Sequence, residues 1–431
     1  IAGRSSTVLS QGLLTEPTSD RGGGALLLNS SPIIAHCEFA GNTSLIAGAG
    51  LHIEGGAPFF RKCKFVDNAT AGTGGGVSAS GSSPSLDRCG FLRNTADSRG
   101  GGSWHSGTGV TTLANCLFRE NSASIGGGVA AENLDVNSGS LALVNTLLAM
   151  NSATDGGGLA AVAASPILTN CTLAGNTADR GGALWAQGGG TIPVANSILW
   201  GNTASTIGPQ FAADGGAATA SFTTCNVDGA GGSGAWDAAF GTDQGGNLDA
   251  DPLFMNPAAL EFSLQSGSPC IDAALTTVAG YQQTDRYDRP RYDDPGAPNA
   301  DPDSSEAPDM GAFEYSVVYV GIAGSDGTGT GRPDAPYATI QLAIDLAEPG
   351  GDVVIFGGTD VAPAVFTGPG NVNLTFRGKE ITVRSDSPEF PERTIIDCGG
   401  EDGTRGVHFE SGETTDSLLE GITIRNGRHS Y

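Results

Sequence analysis

Short apolar runs, separated by glycine and polar turn residues, make up the first half of the chain. Ala25–Leu28, Ile33–Ala35 and Gly76–Ala79 are early examples, and Leu159–Val162 and Ile167–Thr169 are later ones. Their apolar residues lack the spacing of an amphipathic helix, and their short length and flanking Gly, Ser-Pro and Asn are typical of strands. The pattern therefore predicts a succession of strands that are too short to bury much surface in hairpins.

These runs belong to an internal repeat of about 26 residues that extends over residues 22–227. Glycine clusters recur with this period and end at Gly24, Gly50, Gly76, Gly102, Gly128 and Gly158. A second motif runs in phase with the clusters and places an aromatic residue or Leu three positions before an Asn. Its final residues are Asn42, Asn68, Asn94, Asn121, Asn151, Asn176 and Asn202. Since both patterns keep one period, the repeat is the unit of structure.

A repeat of this length is too short for a helical hairpin but long enough for one coil of a solenoid. Stacked coils would place their strands in parallel sheets, with neighbouring strands about 4.8 Å apart. Parallel crossovers are almost always right-handed. We therefore predict an all-β fold, a right-handed parallel β-helix solenoid with coils of about 26 residues.

Stacking gives each repeated position a role. The apolar residue of the motif would form an inward ladder that begins with Phe39, Phe65, Phe91 and Phe118. The Asn would form an amide ladder at a bend, because an unpaired buried amide costs about 1–3 kcal/mol. Cysteines at the start of the motif would form an inward column of buried thiols: Cys37, Cys63, Cys89, Cys116 and Cys171. One or two disulfides between neighbouring coils are the alternative.

The paired motifs resemble a known group of repeats. Gly23–Leu26 reads Gly-Gly-Ala-Leu, and Phe39–Asn42 and Phe65–Asn68 fit a Phe-x-x-Asn pattern. This combination is similar to the repeats of chlamydial polymorphic outer-membrane proteins and of large bacterial surface proteins with pectate-lyase-like β-helices. The resemblance covers about half of the chain. It implies a right-handed β-helix and an extracellular or cell-surface location in a bacterium.

Beyond the repeat, the sequence suggests a closing segment followed by a new start. We assign β-helix coils to residues 1–246 and an Asp/Pro-rich closing segment of the first β-helix to residues 247–316. Asp309–Tyr315 resembles the string that ends many bacterial secreted β-helix proteins. Residues 317–431 would then form the N-terminal cap and first coils of a second β-helix.

The last part of the chain reads as one short helix among strands. Apolar spacing predicts a capping helix near residues 339–347, with Thr339 as its N-cap. The strands are predicted at Val317–Val320, Asp352–Phe356, Val372–Phe376, Glu380–Arg384, Thr394–Asp397, Gly406–Phe409 and Leu418–Arg425.

Composition and charge exclude several classes of partner. The chain holds 68 Gly among 431 residues and carries a formal net charge of −25. Most of the excess acid lies after residue 205, so the repeats are nearly neutral. An acidic chain is poorly suited to nucleic acid or to anionic membranes. No apolar stretch approaches the roughly 18 residues of a membrane helix. We therefore expect no nucleic-acid partner and no membrane-spanning segment.

Candidate catalytic chemistry is sparse. The five histidines are scattered and accompany no nucleophile motif. Acids before the glycine clusters, such as Asp20, Asp155 and Asp179, form a regular column beside Arg21 and Arg180, as turn residues and surface ion pairs would. An active site should instead interrupt the repeat. We therefore predict no catalytic residue and no cofactor other than a possible metal ion.

The densest acidic run, residues 285–309, is the candidate for that metal. Asp301, Asp303 and Asp309 would supply the hard oxygen ligands that Ca²⁺ prefers. The alternative is a solvated loop, in which the carboxylates pair with Arg286, Arg289 and Arg291.

The sequence favours a structural, non-enzymatic β-helix module of an extracellular protein. Because open ends of parallel sheets invite pairing, we expect its partner to be another copy, stacked head to tail in a filament, surface fibre or giant repetitive surface protein. Two alternatives stay open. One is a β-helix that binds or cleaves cell-surface polysaccharide, and the other is an autotransporter-type adhesin passenger with a protein receptor.

Overall fold

The computed structural model describes residues 8–10, 20–134, 139–215, 218–257, 261–265, 267–287, 291, 299–300, 307–315, 317–331, 335–347, 352–379, 381–388, 390–414 and 417–428. The chain divides into two compact units. One comprises residues 1–286 and 290–314, and the other comprises residues 287–289 and 315–431.

Four parallel sheets form the first unit. Sheet 1 follows the glycine clusters and contains Ala25–Leu28, Leu51–Glu54, Val77–Ser80, Ser103–Ser106, Val129–Glu132, Leu159–Val162, Leu184–Gln187 and Phe211–Asp214. Sheet 2 contains Ile33–Ala35, Phe59–Arg61, Ser85–Asp87, Gly109–Ala114, Gly139–Val144, Ile167–Thr169, Gly190–Ala195, Ala218–Thr223 and Thr242–Asp243. Sheet 3 contains Val8–Ser10, Glu38–Ala40, Lys64–Val66, Gly90–Leu92, Leu117–Arg119, Leu147–Ala149, Thr172–Ala174, Ile198–Trp200 and Asn226–Val227. Sheet 4 contains Thr43–Ser44, Ala69–Thr70, Thr95–Arg99, Ser122–Ile125, Ser152–Asp155, Thr177–Arg180 and Thr203–Ile207.

Each repeat forms one coil that passes through the four sheets in turn. We number the coils 1 to 8 by their strands in sheet 1, from Ala25–Leu28 to Phe211–Asp214. Neighbouring strands are parallel and one repeat apart, so Phe39 lies opposite Phe65 and Phe91 lies opposite Phe118. The predicted fold class, an all-β right-handed parallel β-helix with coils of about 26 residues, is confirmed.

Single residues in the left-handed conformation make the two bends that flank sheet 3 in coils 1 to 7. In coil 2 they are Lys62, with a φ of 51°, and Asp67, with a φ of 53°. The residues that follow them, Cys63 and Asn68, are fully buried. The constant distance between the two bends therefore explains the constant spacing of Cys and Asn in the sequence motif.

The glycine clusters lie where sheet 4 passes into sheet 1 and where neighbouring coils approach closely. In coil 3, Gly100 has a φ of 66°. A Cβ atom on Gly101 would lie 2.5 Å from the carbonyl oxygen of Gly127 in the next coil. A side chain there would collide with backbone, so the excess of glycine follows from the stacking geometry.

Aromatic side chains pack against the core at the end of the coils. The ring centroids of Trp236 and Phe222 lie 5.4 Å apart, and Trp236 also packs against Phe240, at the end of a short 3-10 helix over Ala238–Phe240. We call residues 247–314 the closing segment. It includes an antiparallel pair, Phe254–Asn256 with Glu261–Leu264.

The second unit contains further parallel strands. Its four-stranded sheet contains Val317–Val320, Asp352–Ile355, Thr382–Ser385 and Leu418–Glu420. Its other strands are Ala364–Phe366, Thr394–Asp397, Thr423–Arg425, Leu374–Thr375 and Val407–His408, and a short 3-10 helix covers Pro391–Arg393. The expectation of one strand over Leu418–Arg425 is wrong, because Gly421, with a φ of 66°, separates two strands that join different sheets.

The helix of the second unit covers Ile340–Leu346, with Thr339 at the N-cap position. The predicted N-cap position is confirmed, but the Thr339 side chain makes no capping bond, because its hydroxyl donates to Asp326 Oδ2 at 2.8 Å. The first helical N–H, on Ile340, donates instead to Asn371 Oδ1 at 2.9 Å. The cap is therefore a side chain 31 residues further along the chain.

Candidate functional site

The repeated Asn residues lie inside the first unit and link each coil to the next. The backbone N–H and the side-chain Nδ2 of Asn121 both donate to Asn151 Oδ1, at 3.0 and 2.9 Å, and Nδ2 also donates to the carbonyl oxygen of Phe91. Corresponding bonds to the next Asn connect the other members of the ladder: Asn42, Asn68, Asn94, Asn151, Asn176 and Asn202. Asn202 ends the ladder by donating to Gln210 Oε1 at 2.7 Å.

The aromatic members of the motif form a stack next to the amide ladder. Ring centroids of Phe39 and Phe65, and of Phe65 and Phe91, lie 4.9 Å apart, and those of Phe91 and Phe118 lie 4.2 Å apart. Leu148 takes the same position in coil 5. These buried rings and amides belong to the core, where no substrate reaches them.

The cysteines of the motif occupy a third inward column, and all are free thiols. Cys37 is half-buried, whereas Cys63, Cys89, Cys116 and Cys171 are buried. The thiol of Cys116, for example, donates to the carbonyl oxygens of the residue two positions earlier and of a residue in coil 3. Burial raises the pKa of Cys171 to about 12.

The closing segment lies against the outer face of sheet 3 in coils 5 to 7, where a second Asn column holds it. Asn145 Nδ2 donates to the carbonyl oxygen of Thr284 at 2.8 Å, and Asn196 Nδ2 donates to that of Leu275 at 2.8 Å. Asn170 takes the same position in coil 6 and donates to the closing segment at 3.3 Å. Sequence reasoning missed this column, although its Asn residues repeat with the same period.

Arg291 is the centre of the closing segment's attachment. Its side chain is fully buried and forms an ion pair with Glu314 at 2.9 Å. It also donates to the carbonyl oxygens of Asp309 and Gly311, each at 3.1 Å, and to Asn145 Oδ1 at 3.0 Å. The guanidinium thus joins the part of the closing segment around Arg291 to the part over residues 309–314, and both to coil 5.

The calcium prediction is only partly within the described residues. Asp301 and Asp303 lie outside them. Asp309 is buried, and its Oδ1 accepts the backbone N–H of Asp272 at 2.9 Å. Within the described residues there is no group of three His, Cys, Asp or Glu side chains that could hold a metal ion. Asp309 therefore takes part in the attachment of the closing segment.

The outer corner between sheets 2 and 3 carries a cationic cluster in coils 2 and 3, which we call the basic corner: Arg61, Lys62, Lys64 and Arg88. Arg61 Nε and Arg88 Nε lie 3.6 and 3.9 Å from one carboxylate oxygen of Asp87. Across the part of the chain that the structure describes, neither lysine side chain has an ion pair or hydrogen bond. The basic corner is exposed to half-buried and carries more positive than negative charge.

A charged cluster around Arg180 lies where sheet 4 passes into sheet 1. Arg180 forms a bidentate pair with Asp155, at 2.6 and 2.7 Å, contacts Asp214, and lies over the ring of Trp185. These bonds raise the pKa of Arg180. Only some of the predicted turn Asp residues form ion pairs. Asp155 pairs with Arg180, whereas Asp179 accepts a hydrogen bond from a serine hydroxyl.

A Ser–His–Glu arrangement, which the sequence order conceals, lies on sheet 1. His52 Nδ1 is 3.2 Å from Ser78 Oγ, and His52 Nε2 is 3.9 Å from Glu54 Oε2. Desolvation and the nearby Arg21 lower the pKa of His52. The hydroxyl of Ser78 is fully buried, however, so no substrate can reach this nucleophile.

No helix in the described part of the chain is long and apolar enough to cross a membrane. No family model matches the sequence, and no curated protein does. Among solved structures, a mutant of a PL6 family alginate lyase covers 94% of this chain and 69% of its own chain, with 12% identity and a TM-score of 0.26. A similarity this remote carries no argument about the activity of this chain.

Proposed function

We propose that this chain is a structural, non-catalytic module of an extracellular or cell-surface bacterial protein. The amide ladder from Asn42 to Asn202 supports this function most directly. It runs without a break through coils 1 to 7, and each hydrogen bond adds about 1 kcal/mol of net stability. A stack of this kind serves as a stiff spacer, in which each coil adds about 4.8 Å of length.

Head-to-tail association of copies is part of this proposal. Coil 1 exposes large apolar side chains, with Leu28 at 52%, Ile33 at 78% and Leu45 at 70% exposure. Exposed apolar surface of this kind is typical of a contact with another chain. Association at coil 1 would extend the spacer along the axis of the coils.

Sedimentation velocity and negative-stain microscopy over a range of concentrations test this association. We expect concentration-dependent chains of particles that disappear when Ile33 and Leu45 are both replaced by Lys. Replacement of the exposed Val361 by Lys, in the second unit, is the matched control and should change nothing. Monodisperse monomers of the unaltered chain at high concentration would contradict head-to-tail assembly.

The absence of catalysis is tested separately. Incubation with neutral and uronate polysaccharides should release neither unsaturated products nor new reducing ends. Product release that rises with the concentration of the purified chain and disappears when the chain is heat-denatured would show that the chain is an enzyme. That result would replace the structural proposal.

The basic corner supports a second candidate function, the binding of an anionic polysaccharide. Lys and Arg bind carboxylate and sulfate groups, and the uncovered coils present them side by side. A Lys62→Glu/Lys64→Glu variant should lose binding to an immobilised polyuronate, and salt should weaken binding of the unaltered chain. Arg428→Glu, at an exposed position in the second unit, is the control. Equal binding of all three proteins would reject this candidate, as would preferential binding to a protein receptor.

A further inference from the structure

Four successive coils carry a cysteine at the same inward position, and the later coils do not. Coils 1 to 4 hold Cys37, Cys63, Cys89 and Cys116. The slot then alternates, with Thr146 and Ser197 in coils 5 and 7 and with Cys171 and Cys225 in coils 6 and 8. Only the first four cysteines therefore have another cysteine in a neighbouring coil.

Backbone hydrogen bonds hold these four residues next to one another. The N–H groups of Lys64, Gly90 and Leu117 donate to the carbonyl oxygens of Cys37, Cys63 and Cys89, at 2.8, 2.9 and 2.9 Å. Parallel neighbours of this kind lie about 4.8 Å apart. That distance falls within the range of about 4.4–6.8 Å between the Cα atoms of a disulfide.

The side chains are also in contact. The neighbouring thiols of Cys116 and Cys63 raise the pKa of the Cys89 thiol well above its ordinary value. The contact with Cys89 lowers the pKa of Cys63 to about 7, so its thiolate is available near neutral pH. Cys37 is the only member of the four that is not fully buried, and it lies next to Cys63.

We infer that Cys37, Cys63, Cys89 and Cys116 form a redox-active thiol column, in which a low-molecular-weight disulfide produces disulfides between neighbouring coils. Burial and the nearby Cys63 raise the pKa of Cys37, so its thiol first loses its proton to the solvent. The resulting thiolate attacks the small disulfide, forms a mixed disulfide and releases one small thiol. The thiolate of Cys63 then attacks the Cys37 sulfur and releases the second small thiol. Two protein thiols lose two protons and two electrons, and the small disulfide gains them.

Exchange along the column extends the reaction to the buried members. The thiolate of Cys89 attacks Cys63 in the first disulfide, which frees the Cys37 thiol to react again. Repetition ends with two disulfides, Cys37–Cys63 and Cys89–Cys116. Thr146 stops the exchange at coil 5, so Cys171 and Cys225 stay reduced. The two disulfides link coil 1 covalently to coil 2 and coil 3 to coil 4.

Mass spectrometry of the full chain after incubation with oxidised glutathione tests this inference. We expect the mass of the chain to fall by about 2 and then about 4 Da as hydrogen is lost. Peptide mapping without reduction should show the two linkages, while iodoacetamide should still label Cys171 and Cys225 after unfolding. The urea midpoint of unfolding should rise on oxidation and return after dithiothreitol.

Cysteine variants separate the column from random oxidation. Cys37→Ser should slow oxidation of all the others, and Cys63→Ser should leave Cys89 and Cys116 reduced, because exchange reaches them only through Cys63. Ser and Thr already occupy this slot in coils 5 and 7, so these variants should fold. Cys171→Ser is the matched control and should oxidise like the unaltered chain. A reaction that stops at glutathionylated Cys37, or one that links Cys171 or Cys225, would overturn the inference.

Discussion

The outer face of sheet 3 differs between coils 1 to 3 and coils 5 to 7, while both regions keep an inward apolar residue and an inward Asn in every coil. The closing segment covers the later coils, and the bend before each inward Cys, Thr or Ser there is an Asn, as in Asn170. In the uncovered coils the same left-handed position holds His36, Lys62 and Arg88. Stacking thus determines the inward residues, and whatever covers the coil determines the outward ones.

The bend residues of the two regions differ in how readily they adopt the left-handed conformation. Asn adopts a positive φ more readily than Lys or Arg, for which it costs up to about 1–2 kcal/mol. The covered coils therefore combine a favourable bend residue with hydrogen bonds to the closing segment. The uncovered coils keep less favourable residues whose charges stay in water, where the basic corner is available to an anionic partner.

The variant with the largest expected effect on stability removes the buried charge that attaches the closing segment to the coils. Arg291→Met removes the cation that pairs with the buried carboxylate of Glu314, which costs about 3–5 kcal/mol for a pair of this kind. Urea unfolding should show a loss of that size. Arg93→Met, which breaks the exposed pair with Asp67, is the control and should have a much smaller effect. Equal losses would mean that the closing segment adds little.

A break in the inner ladder should affect covered and uncovered coils alike. Asn151→Ala removes the acceptor for two donors of Asn121 as well as its own bonds, so we expect a loss of about 3 kcal/mol. The exposed neighbour Ser152 is the control, and Ser152→Ala should change stability by less than about 0.5 kcal/mol. Unfolding midpoints that match in the two variants would contradict the role of the ladder.

A buried histidine makes the stability of the coils depend on pH. Desolvation lowers the pKa of His105 from its ordinary value of 6.5 to about 3. The unfolded chain then binds the proton more readily, so stability falls as pH drops below 6.5, by about 1.4 kcal/mol per pH unit. Between pH 6.5 and pH 5 that loss is about 2 kcal/mol, and His105→Leu should lack it. Identical pH dependence in both proteins would show that His105 is not the cause.

The smallest expected effect comes from exchanging bend residues between the two regions. Lys62→Asn should stabilise the chain by about 1 kcal/mol or less, because Asn suits the left-handed bend and no partner of Lys62 is lost. Asn170→Lys should instead destabilise the covered region. If both substitutions lower the melting temperature equally, the closing segment does not determine which residue is favoured at the bend.

The repeat could be predicted because each coil repeats the same local geometry. Phe65 and Asn94 recur with the period of the bends, so periodicity alone indicated an inward ladder. Arg291 gave no such signal, since its partner Asn145 is 146 residues away and the contact occurs once. The same holds for Asn371, which caps a helix that begins 31 residues earlier. Single long-range contacts leave no period in a sequence.

Hydrogen–deuterium exchange of the unaltered chain and the Arg291→Met variant tests the central claim most directly. That claim is that the stacked coils form the scaffold and that the closing segment only covers part of it. In the variant we predict faster exchange in residues 270–286 and 307–314, with the strands of coils 1 to 3 as protected as before. A uniform loss of protection through all the coils would contradict the claim.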